Sequence, residues 1–214
     1  RKEREESKMN AKVWERAPIA YWDHLLDDRE PHLFAIGVDG GDPTAITRQS
    51  GYHLSKRAYS SNSYDISPDG LEVAFVADVD RSGVDPNSDV IVLESCGCKP
   101  ARDVTSANLA DDGSPAFSPD GRWLAYTAQT IKGYYADRGR LLLLDRKSGA
   151  VRDLSIDWDR TPNDLLWQSD SKSLYSAVDD AATNRLYRHD LAAPGKPQPI
   201  TRERSEEHTS ELQS

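Results

Sequence analysis

Cysteine, methionine and long hydrophobic runs are scarce in this 214-residue chain. Cys96 and Cys98 are too close in sequence for a useful disulfide framework, and two thiols do not complete a zinc site. The aliphatic run at residues 141–144, which no other in the chain exceeds, is far shorter than the roughly 18 residues of a transmembrane helix, so no membrane span is expected. The only methionine is Met9, so the chain does not begin at an initiator. No metal site and no membrane partner follow from these residues.

The chain also lacks an excess of positive charge. Its 27 Lys and Arg against 36 Asp and Glu give a formal net charge of −9, whereas a nucleic-acid scaffold would carry a basic face. Glycine patterns for dinucleotides or phosphate loops are absent as well, so we expect no nucleic-acid partner and no cofactor. Five tryptophans and nine tyrosines argue against a disordered acidic chain.

The last eleven residues, 204–214, read like the in-frame translation of a sequencing-library adapter. We therefore leave them out of the fold prediction, as one would a fusion scar. Together with the missing initiator, they predict a fragment that is open at both ends.

A repeat of about fifty residues organises the remaining sequence. Asp-Ile-Ser-Pro-Asp-Gly occupies 65–70, Ala-Phe-Ser-Pro-Asp-Gly occupies 116–121, and Leu-Trp-Gln-Ser-Asp-Ser at 166–171 is a worn third copy. The aspartates that follow the first serine are 51 and 50 residues apart. Proline, aspartate and glycine in this order suit a tight turn. Repeats of this length are typical of propeller blades and too long for leucine-rich or ankyrin units.

Apolar segments follow each turn at matching distances, and each copy ends in an aliphatic residue followed by a hydroxyl. These ends are Ile46-Thr47, Val104-Thr105, Leu154-Ser155 and Ile200-Thr201. Four short strands per unit indicate an all-β fold, a partial β-propeller of about three and a half four-stranded antiparallel blades. The predicted propeller covers residues 1–203, with repeats at about 12–48, 64–105, 115–155 and 164–201.

The order of these features resembles the N-terminal propeller of prolyl oligopeptidase family serine peptidases, in the acylaminoacyl-peptidase and dipeptidyl-peptidase branch, with Tol-type repeats. The resemblance rests on Tyr21-Trp22-Asp23, Pro31-His32-Leu33-Phe34, Ser88-Asp89-Val90, the 113–121 segment, Ala136-Asp137-Arg138 and Leu186-Tyr187-Arg188. It implies a propeller that caps an α/β-hydrolase domain, screens peptide or acyl-peptide substrates, and leaves the Ser, Asp and His of the triad to the hydrolase. A C-terminal hydrolase domain and a peptide substrate are the partners that the resemblance implies.

No catalytic residue can be assigned in this chain. A Gly-x-Ser-x-Gly nucleophile elbow is absent, and we interpret His24, His32, His53 and His189 as surface or loop histidines. We therefore predict that the chain alone hydrolyses no peptide. An alternative function is a non-enzymatic Tol-type propeller that acts as a protein-binding scaffold, and another is an acidic calcium-dependent propeller.

Two further segments carry candidate chemistry. Arg138 lies in a loop between strands and is the candidate substrate-binding residue, since a guanidinium offers a fork of donors to a carboxylate or carbonyl. A structural ion pair with Asp137 or Asp145 is the alternative. Residues 78–89 space their oxygens as a calcium loop does, although Asp89 stands where glutamate is usual and a proline occupies position nine. A solvated hairpin loop is the alternative for this segment.

An incomplete propeller leaves apolar blade faces uncovered. Each open face would lose about 8–10 kcal/mol of burial if ~300–400 Å² stayed wet. That loss rivals the ~5–15 kcal/mol stability of a whole domain, so we predict that the fragment is prone to aggregation.

Overall fold

A computed structural model describes residues 29–55, 59–80 and 87–201, together with the backbone of two short strands at 20–21 and 24–25. The described residues form an all-β fold with one 3₁₀ turn, Ser61–Ser63, and no α-helix. The strands are β1 (Ala20–Tyr21), β2 (His24–Leu25), β3 (Phe34–Ala35), β4 (Thr44–Ala45), β5 (Tyr64–Ile66), β6 (Glu72–Asp78), β7 (Ser88–Glu94), β8 (Arg102–Asp103), β9 (Asp112–Phe117), β10 (Trp123–Ala128), β11 (Arg140–Asp145), β12 (Val151–Asp153), β13 (Asn163–Trp167), β14 (Ser173–Asp180), β15 (Thr183–Asp190) and β16 (Gln198–Pro199).

The strands form consecutive antiparallel units. β5–β8, β9–β12 and β13–β16 each make a four-stranded sheet in chain order, and β3 pairs with β4. We call these units the second, third and fourth blades and β3–β4 the first. β9 contacts both β5 and β13, so the first strands of three blades lie side by side around a common centre. This architecture is the partial propeller that the fifty-residue repeat predicts.

The hydroxyl at the end of each repeat has a structural role. The hydroxyl accepts a hydrogen bond from the backbone N–H of one residue at the third strand of its blade. The backbone carbonyl of that strand residue accepts a second hydrogen bond, from the N–H of the aliphatic residue that precedes the hydroxyl residue. The N–H to hydroxyl bonds are Leu33 to Thr47 at 3.0 Å, Val90 to Thr105 at 2.9 Å, Leu141 to Ser155 at 2.9 Å and Leu186 to Thr201 at 3.2 Å. The side chain thus continues the ladder beyond the short outer strand, which satisfies a donor that would otherwise be left unpaired.

The repeated turns close on side-chain bonds. Ser67 Oγ donates to Asp69 Oδ1 at 2.6 Å and accepts from the Glu72 N–H at 2.9 Å. Gly70 follows with a φ of 72°, in the left-handed region that favours glycine. In the worn copy Ser171 takes this place with a φ of 59°, and its Oγ accepts from the Asp120 N–H at 3.0 Å. Ser171, whose backbone is strained at this φ, therefore makes a hydrogen bond between the fourth and third blades that a glycine could not make.

Apolar side chains fill the seams between blades. The seam between the second and third blades contains Ala74, Val90, Val92, Phe117, Leu124, Tyr126, Ala128 and Leu144. The seam between the third and fourth contains Ala116, Trp123, Ala125, Leu141, Leu143, Leu154 and Leu174. The third blade is therefore covered on both faces, which explains why its 141–144 run is apolar without alternation.

The far face of the fourth blade is open within the described structure. Leu174 packs into the seam with the third blade, and the strand register puts Leu166, Tyr175 and Leu186 on the opposite face. Leu166 is 66% exposed and Leu186 is 44% exposed. The limits of the repeats and the aggregation of the chain stay predictions, and residues 204–214 lie outside the described residues.

Candidate functional site

A polar cavity of about 650 Å³ lies at one end of the second and third blades. The ends of β6, β7, β9 and β10 form its walls together with the 129–139 loop. Its described lining residues include no Lys or Arg. The titratable side chains among them are Asp78, Asp111, Asp112, Tyr135 and Asp137, and the neutral polar ones include Ser88 and Gln129. A wall of this composition gives the cavity a negative potential.

Asp137 orders the 129–139 loop. Its Oδ2 accepts from the Thr130 N–H at 2.7 Å, the Thr130 hydroxyl at 2.9 Å and the Ile131 N–H at 2.9 Å. Gln129 Nε2 donates to the carbonyls of Tyr135 and Asp137, both at 3.0 Å. Burial acts to raise the pKa of Asp137, but these hydrogen bonds outweigh it and hold the pKa below its usual value. The carboxylate is therefore charged at neutral pH.

Asp111 and Asp112 join the second blade to the third at the cavity. Asp111 Oδ1 accepts from both the N–H and the hydroxyl of Ser88 at 2.9 Å. Asp112 is almost fully buried, and its Oδ1 accepts from Asn108 Nδ2 at 2.9 Å. Burial, with the charges of Asp103 and Asp111, raises the pKa of Asp112 to about 7 against the hydrogen bonds from Asn108 and Thr105. This carboxyl titrates near neutral pH.

A second buried carboxyl lies nearby. Asp89 is 3% exposed, and its Oδ1 has no hydrogen-bond partner among the described residues, nor has Asp112 Oδ2. Burial raises the pKa of Asp89 to about 8, and the adjacent carboxylate of Asp103 adds to the shift through a hydrogen bond and its charge. Two carboxyls in contact must share a proton or a cation. Asp89 is therefore mostly protonated at neutral pH.

Arg138 lies next to the cavity loop but not in its lining. Its Nη1 is 3.5 Å from the Ser155 carbonyl oxygen, and its backbone N–H donates to Asp137 Oδ1 at 2.9 Å. The half-buried guanidinium therefore points toward the end of the third blade. Its role in substrate binding stays a prediction.

A smaller cavity of about 350 Å³ runs along the inner strands of three blades. Asn62 and Ser114 line both cavities. Asp65 Oδ2 accepts from the Phe117 N–H at 2.7 Å, and Trp167 Nε1 donates to the Ala116 carbonyl at 3.0 Å. Bonds between inner strands therefore fix the wall of this central passage.

The prediction that His189 is a surface or loop residue is wrong. It is 2% exposed in β15, and its Nε2 lies 2.9 Å from Ser176 Oγ. Its ring meets the Trp158 ring edge-on at 5.2 Å, and burial lowers the pKa of His189 to about 4. Its Nδ1 has no described partner, and Ser176 is fully buried. This Ser–His contact is a polar pair in the core with neither an orienting carboxylate nor access for a substrate.

The other histidines lie in different parts of the structure. His32 Nδ1 lies 3.4 Å from Thr47 Oγ1, and His53 Nδ1 lies 3.0 Å from Glu30 Oε2. His24 is in β2, where only the backbone is described. The structure brings no described histidine to a nucleophile, a carboxylate and a cavity at once.

The two cysteines form a disulfide with a sequence separation of 2, which closes a local turn and is no framework for the fold. It lies in the β7–β8 turn beside Glu94, an acidic neighbour that the sequence did not single out. For the calcium hypothesis, residues 81–86 lie outside the described part of the chain, so the 78–89 loop stays a prediction. Among the described residues, no helix is long and apolar enough to cross a bilayer.

Comparisons with known proteins agree with this architecture. No model of a protein family matches the chain. An alignment of 204 residues, covering 85% of the chain, is 31% identical to dipeptidyl-peptidase 5 of Trichophyton equinum but covers 28% of that protein. The chain therefore spans less than a third of the curated relatives that it matches.

Solved structures show the same fold. A puromycin-hydrolyzing peptidase of Mycobacterium tuberculosis superposes with a TM-score of 0.58 and 18% identity, over 83% of this chain and 28% of that one. A putative TolB of Agrobacterium tumefaciens superposes with a TM-score of 0.55 and 21% identity, over 81% of this chain and 62% of that one. At these identities the match establishes the propeller fold.

Proposed function

Because this chain is a partial β-propeller of the dipeptidyl-peptidase and prolyl oligopeptidase type, we propose that it gates substrates of a serine peptidase. An α/β-hydrolase domain would supply the Ser, Asp and His that cleave peptides or acyl-peptides. The observation that carries this proposal is the 31% identity to a named dipeptidyl-peptidase over 85% of the chain. A Gly-x-Ser-x-Gly elbow is absent from the 214 residues, which agrees with the proposal that this propeller gates substrates while another domain cleaves them.

The acidic cavity is the proposed contact with the substrate. Asp78, Asp111 and Asp137 line it without a Lys or Arg among its described lining residues, so it favours a positively charged group. An unblocked peptide carries such a group at its α-amino end. We propose that the cavity attracts this amino group while the rest of the peptide reaches the hydrolase.

Arg138 is the second proposed contact. Its bond to the Ser155 carbonyl is long, at 3.5 Å, and among the described residues no ion pair holds it to Asp137 or Asp145. A small rotation of the side chain would exchange that carbonyl for one of a bound peptide. A guanidinium suits this role because its donors have a fixed fork geometry.

The test uses the complete product of the parent reading frame and two dipeptidyl substrates, one with a free amino end and one acetylated. Asp137→Asn is expected to lower kcat/KM for the free substrate several-fold relative to the acetylated one. Disruption of the loop would lower both values equally, so the ratio isolates the charge. Asp145→Asn is the matched control, since Asp145 also accepts two backbone N–H bonds but lies at the end of β11, outside the described lining of the cavity.

A ratio that Asp137→Asn leaves unchanged would contradict the proposed role of the cavity. A parent reading frame that closes its propeller and encodes no hydrolase would contradict the peptidase proposal itself. In that case the Tol-type scaffold becomes the function to test. The 214-residue chain alone is expected to release no product from either substrate.

A further inference from the structure

Three side chains of metal-binding type meet in the turn between β7 and β8. Cys96 Sγ lies 3.6 Å from Glu94 Oε2, and Cys98 Sγ lies 3.7 Å from the same oxygen. One ligand atom from each of the three residues lies within 4.8 Å of the other two. Both cysteines are exposed, so an ion in solution can reach the group.

The turn itself brings the two sulfurs together. Gly97 stands between the cysteines with a φ of 64°, and its N–H donates to the Glu94 carbonyl at 2.8 Å. The Cys98 N–H points to Cys96 Sγ at 3.3 Å. A residue with a Cβ would be strained at this φ, so glycine is what allows both thiols to face one side.

Glu94 differs from the acidic residue at the same place in the other blades. In the third blade Asp145 Oδ1 accepts the N–H groups of Lys147 and Ser148, and in the fourth Asp190 Oδ1 accepts that of Ala192. These shorter carboxylates therefore bond their own turns. The Glu94 carboxylate, one methylene longer, reaches the sulfurs instead.

We propose that Glu94, Cys96 and Cys98, once the disulfide is reduced, bind a zinc-type divalent cation with water as the fourth ligand. Zinc takes thiolate and carboxylate ligands in a tetrahedron, whose S···O edges are about 3.6 Å for bonds of about 2.3 and 2.1 Å. The two observed S···O distances, 3.6 and 3.7 Å, are close to that edge. The only large change required is separation of the two sulfurs.

The chemistry of this step balances with an external dithiol as reductant. The dithiol gives two electrons and two protons to the Cys96–Cys98 bond and is itself oxidised to a disulfide. The cation then displaces the two thiol protons, so its binding strengthens as pH rises. The site is thus available only in the reduced chain.

Lys99 opposes metal binding. Its ammonium makes an ion pair with Glu94 Oε1. A cation at the sulfurs must compete with that ammonium for the carboxylate. Removing the lysine charge should therefore strengthen binding, whereas removing the glutamate charge should weaken it.

The experiment titrates the reduced, folded 214-residue chain with Co²⁺, a spectroscopic substitute for zinc, and follows the thiolate-to-cobalt charge-transfer absorption. Zn²⁺ should then abolish this absorption by displacement. We expect Cys96→Ser and Cys98→Ser to remove the band, Glu94→Gln to weaken Co²⁺ binding by about tenfold or more, and Lys99→Gln to strengthen it several-fold. Asp145→Asn is the control that leaves binding unchanged.

Three results would overturn the proposal. One is a reduced wild-type chain without a charge-transfer band, and another is a Glu94→Gln chain that binds Co²⁺ as tightly as wild type. The third is equal affinity in concentrated urea, which would show that the folded turn contributes nothing. Because the readout is metal binding in this chain, the proposal stands or falls independently of the peptidase function.

Discussion

In the third blade Arg140 occupies the place that Asp89 has in the second. Each residue comes directly before the strand residue whose N–H donates to the blade's terminal hydroxyl. Arg140 Nη1 lies 3.6 Å from Asp153 Oδ2 and makes an ion pair with it. Asp89 faces the equivalent acid, Asp103, with a second carboxyl. One backbone position therefore holds opposite charges in neighbouring blades.

A difference in burial between the two positions explains how each charge is accommodated. The side chains of Arg140 and Asp153 are 36% and 20% exposed, so water screens their attraction. Asp89 is 3% exposed, and burial, followed by the contact with Asp103, raises its pKa to about 8. In the second blade, a proton on Asp89 thus removes the repulsion between two carboxylates. In the third blade, the guanidinium of Arg140 instead balances the charge of the equivalent acid, Asp153. The comparison shows that the repeat conserves geometry and leaves the balancing charge free to vary.

The largest expected effect is on the pH dependence of stability. Folded Asp89 holds its proton up to about pH 8, whereas the unfolded side chain loses it near pH 4. The free energy of unfolding should therefore fall between these values, by on the order of 5 kcal/mol, and level off above them. Asp89→Asn cannot ionise, so it should be more stable than wild type at pH 9. Urea denaturation followed by tryptophan fluorescence at pH 5, 7 and 9 measures both effects.

Asp112→Asn is the companion variant for this prediction. The pKa of Asp112 is raised to about 7, so Asp112 contributes a slope of the same sign that ends at lower pH. Asp89→Asn should keep that smaller slope, and the double variant should lose both. A wild-type chain whose stability stays level or rises from pH 5 to pH 9 would refute the proton pairing of Asp89 with Asp103.

The second effect concerns what the blades share. Thr105→Val removes the hydroxyl that accepts the buried Val90 N–H, so it should cost about 1–3 kcal/mol in the free energy of unfolding. Ser155→Ala should cost a similar amount through Leu141. Thr201→Val is the control, because water can replace the hydroxyl at Leu186, which is 44% exposed.

These three variants are compared by urea denaturation at a single pH. Equal losses in all of them would mean that burial of the N–H does not decide the cost. A negligible loss of unfolding free energy in Thr105→Val and Ser155→Ala would mean that the hydroxyls do not stabilise the fold. Only the second result would remove the structural reason for the repeated ending.

The fold could be predicted because its signals are local and repeated. The Ser-Pro-Asp-Gly turns and the hydroxyl endings recur at a constant spacing, and each satisfies a bond within its own blade. The burial of His189 was also within reach. Leu141 and Leu186 make equivalent hydrogen bonds to their terminal hydroxyls, so they hold equivalent positions in their blades. His189 lies three residues after Leu186, as Leu144 lies three residues after Leu141, and Leu144 is buried in a seam between blades.

The chemistry of the site could not be predicted in the same way, because it depends on burial and on side-chain contacts that only the folded chain shows. The raised pKa of Asp89 requires the adjacent Asp103 and the cover of the third blade, which no short motif encodes. The approach of Glu94 to the sulfurs depends on the Gly97 conformation. The direction of the Arg138 side chain follows from the end of the third blade, so the sequence supplied only its position in a loop.

The smallest expected effect tests whether burial or pairing explains the contrast between the blades. Arg140→Asp would put two carboxyls in the third blade at the place where the second blade has Asp89 and Asp103. Since Asp153 is 20% exposed and the Arg140 side chain 36% exposed, solvent would screen the repulsion, and we expect a loss of about 1 kcal/mol or less. Arg140→Gln, which removes the ion pair without adding a charge, is the matched control. If Arg140→Asp produced a pH slope as steep as that of Asp89, then contact between carboxyls alone would set the pKa and burial would not be needed.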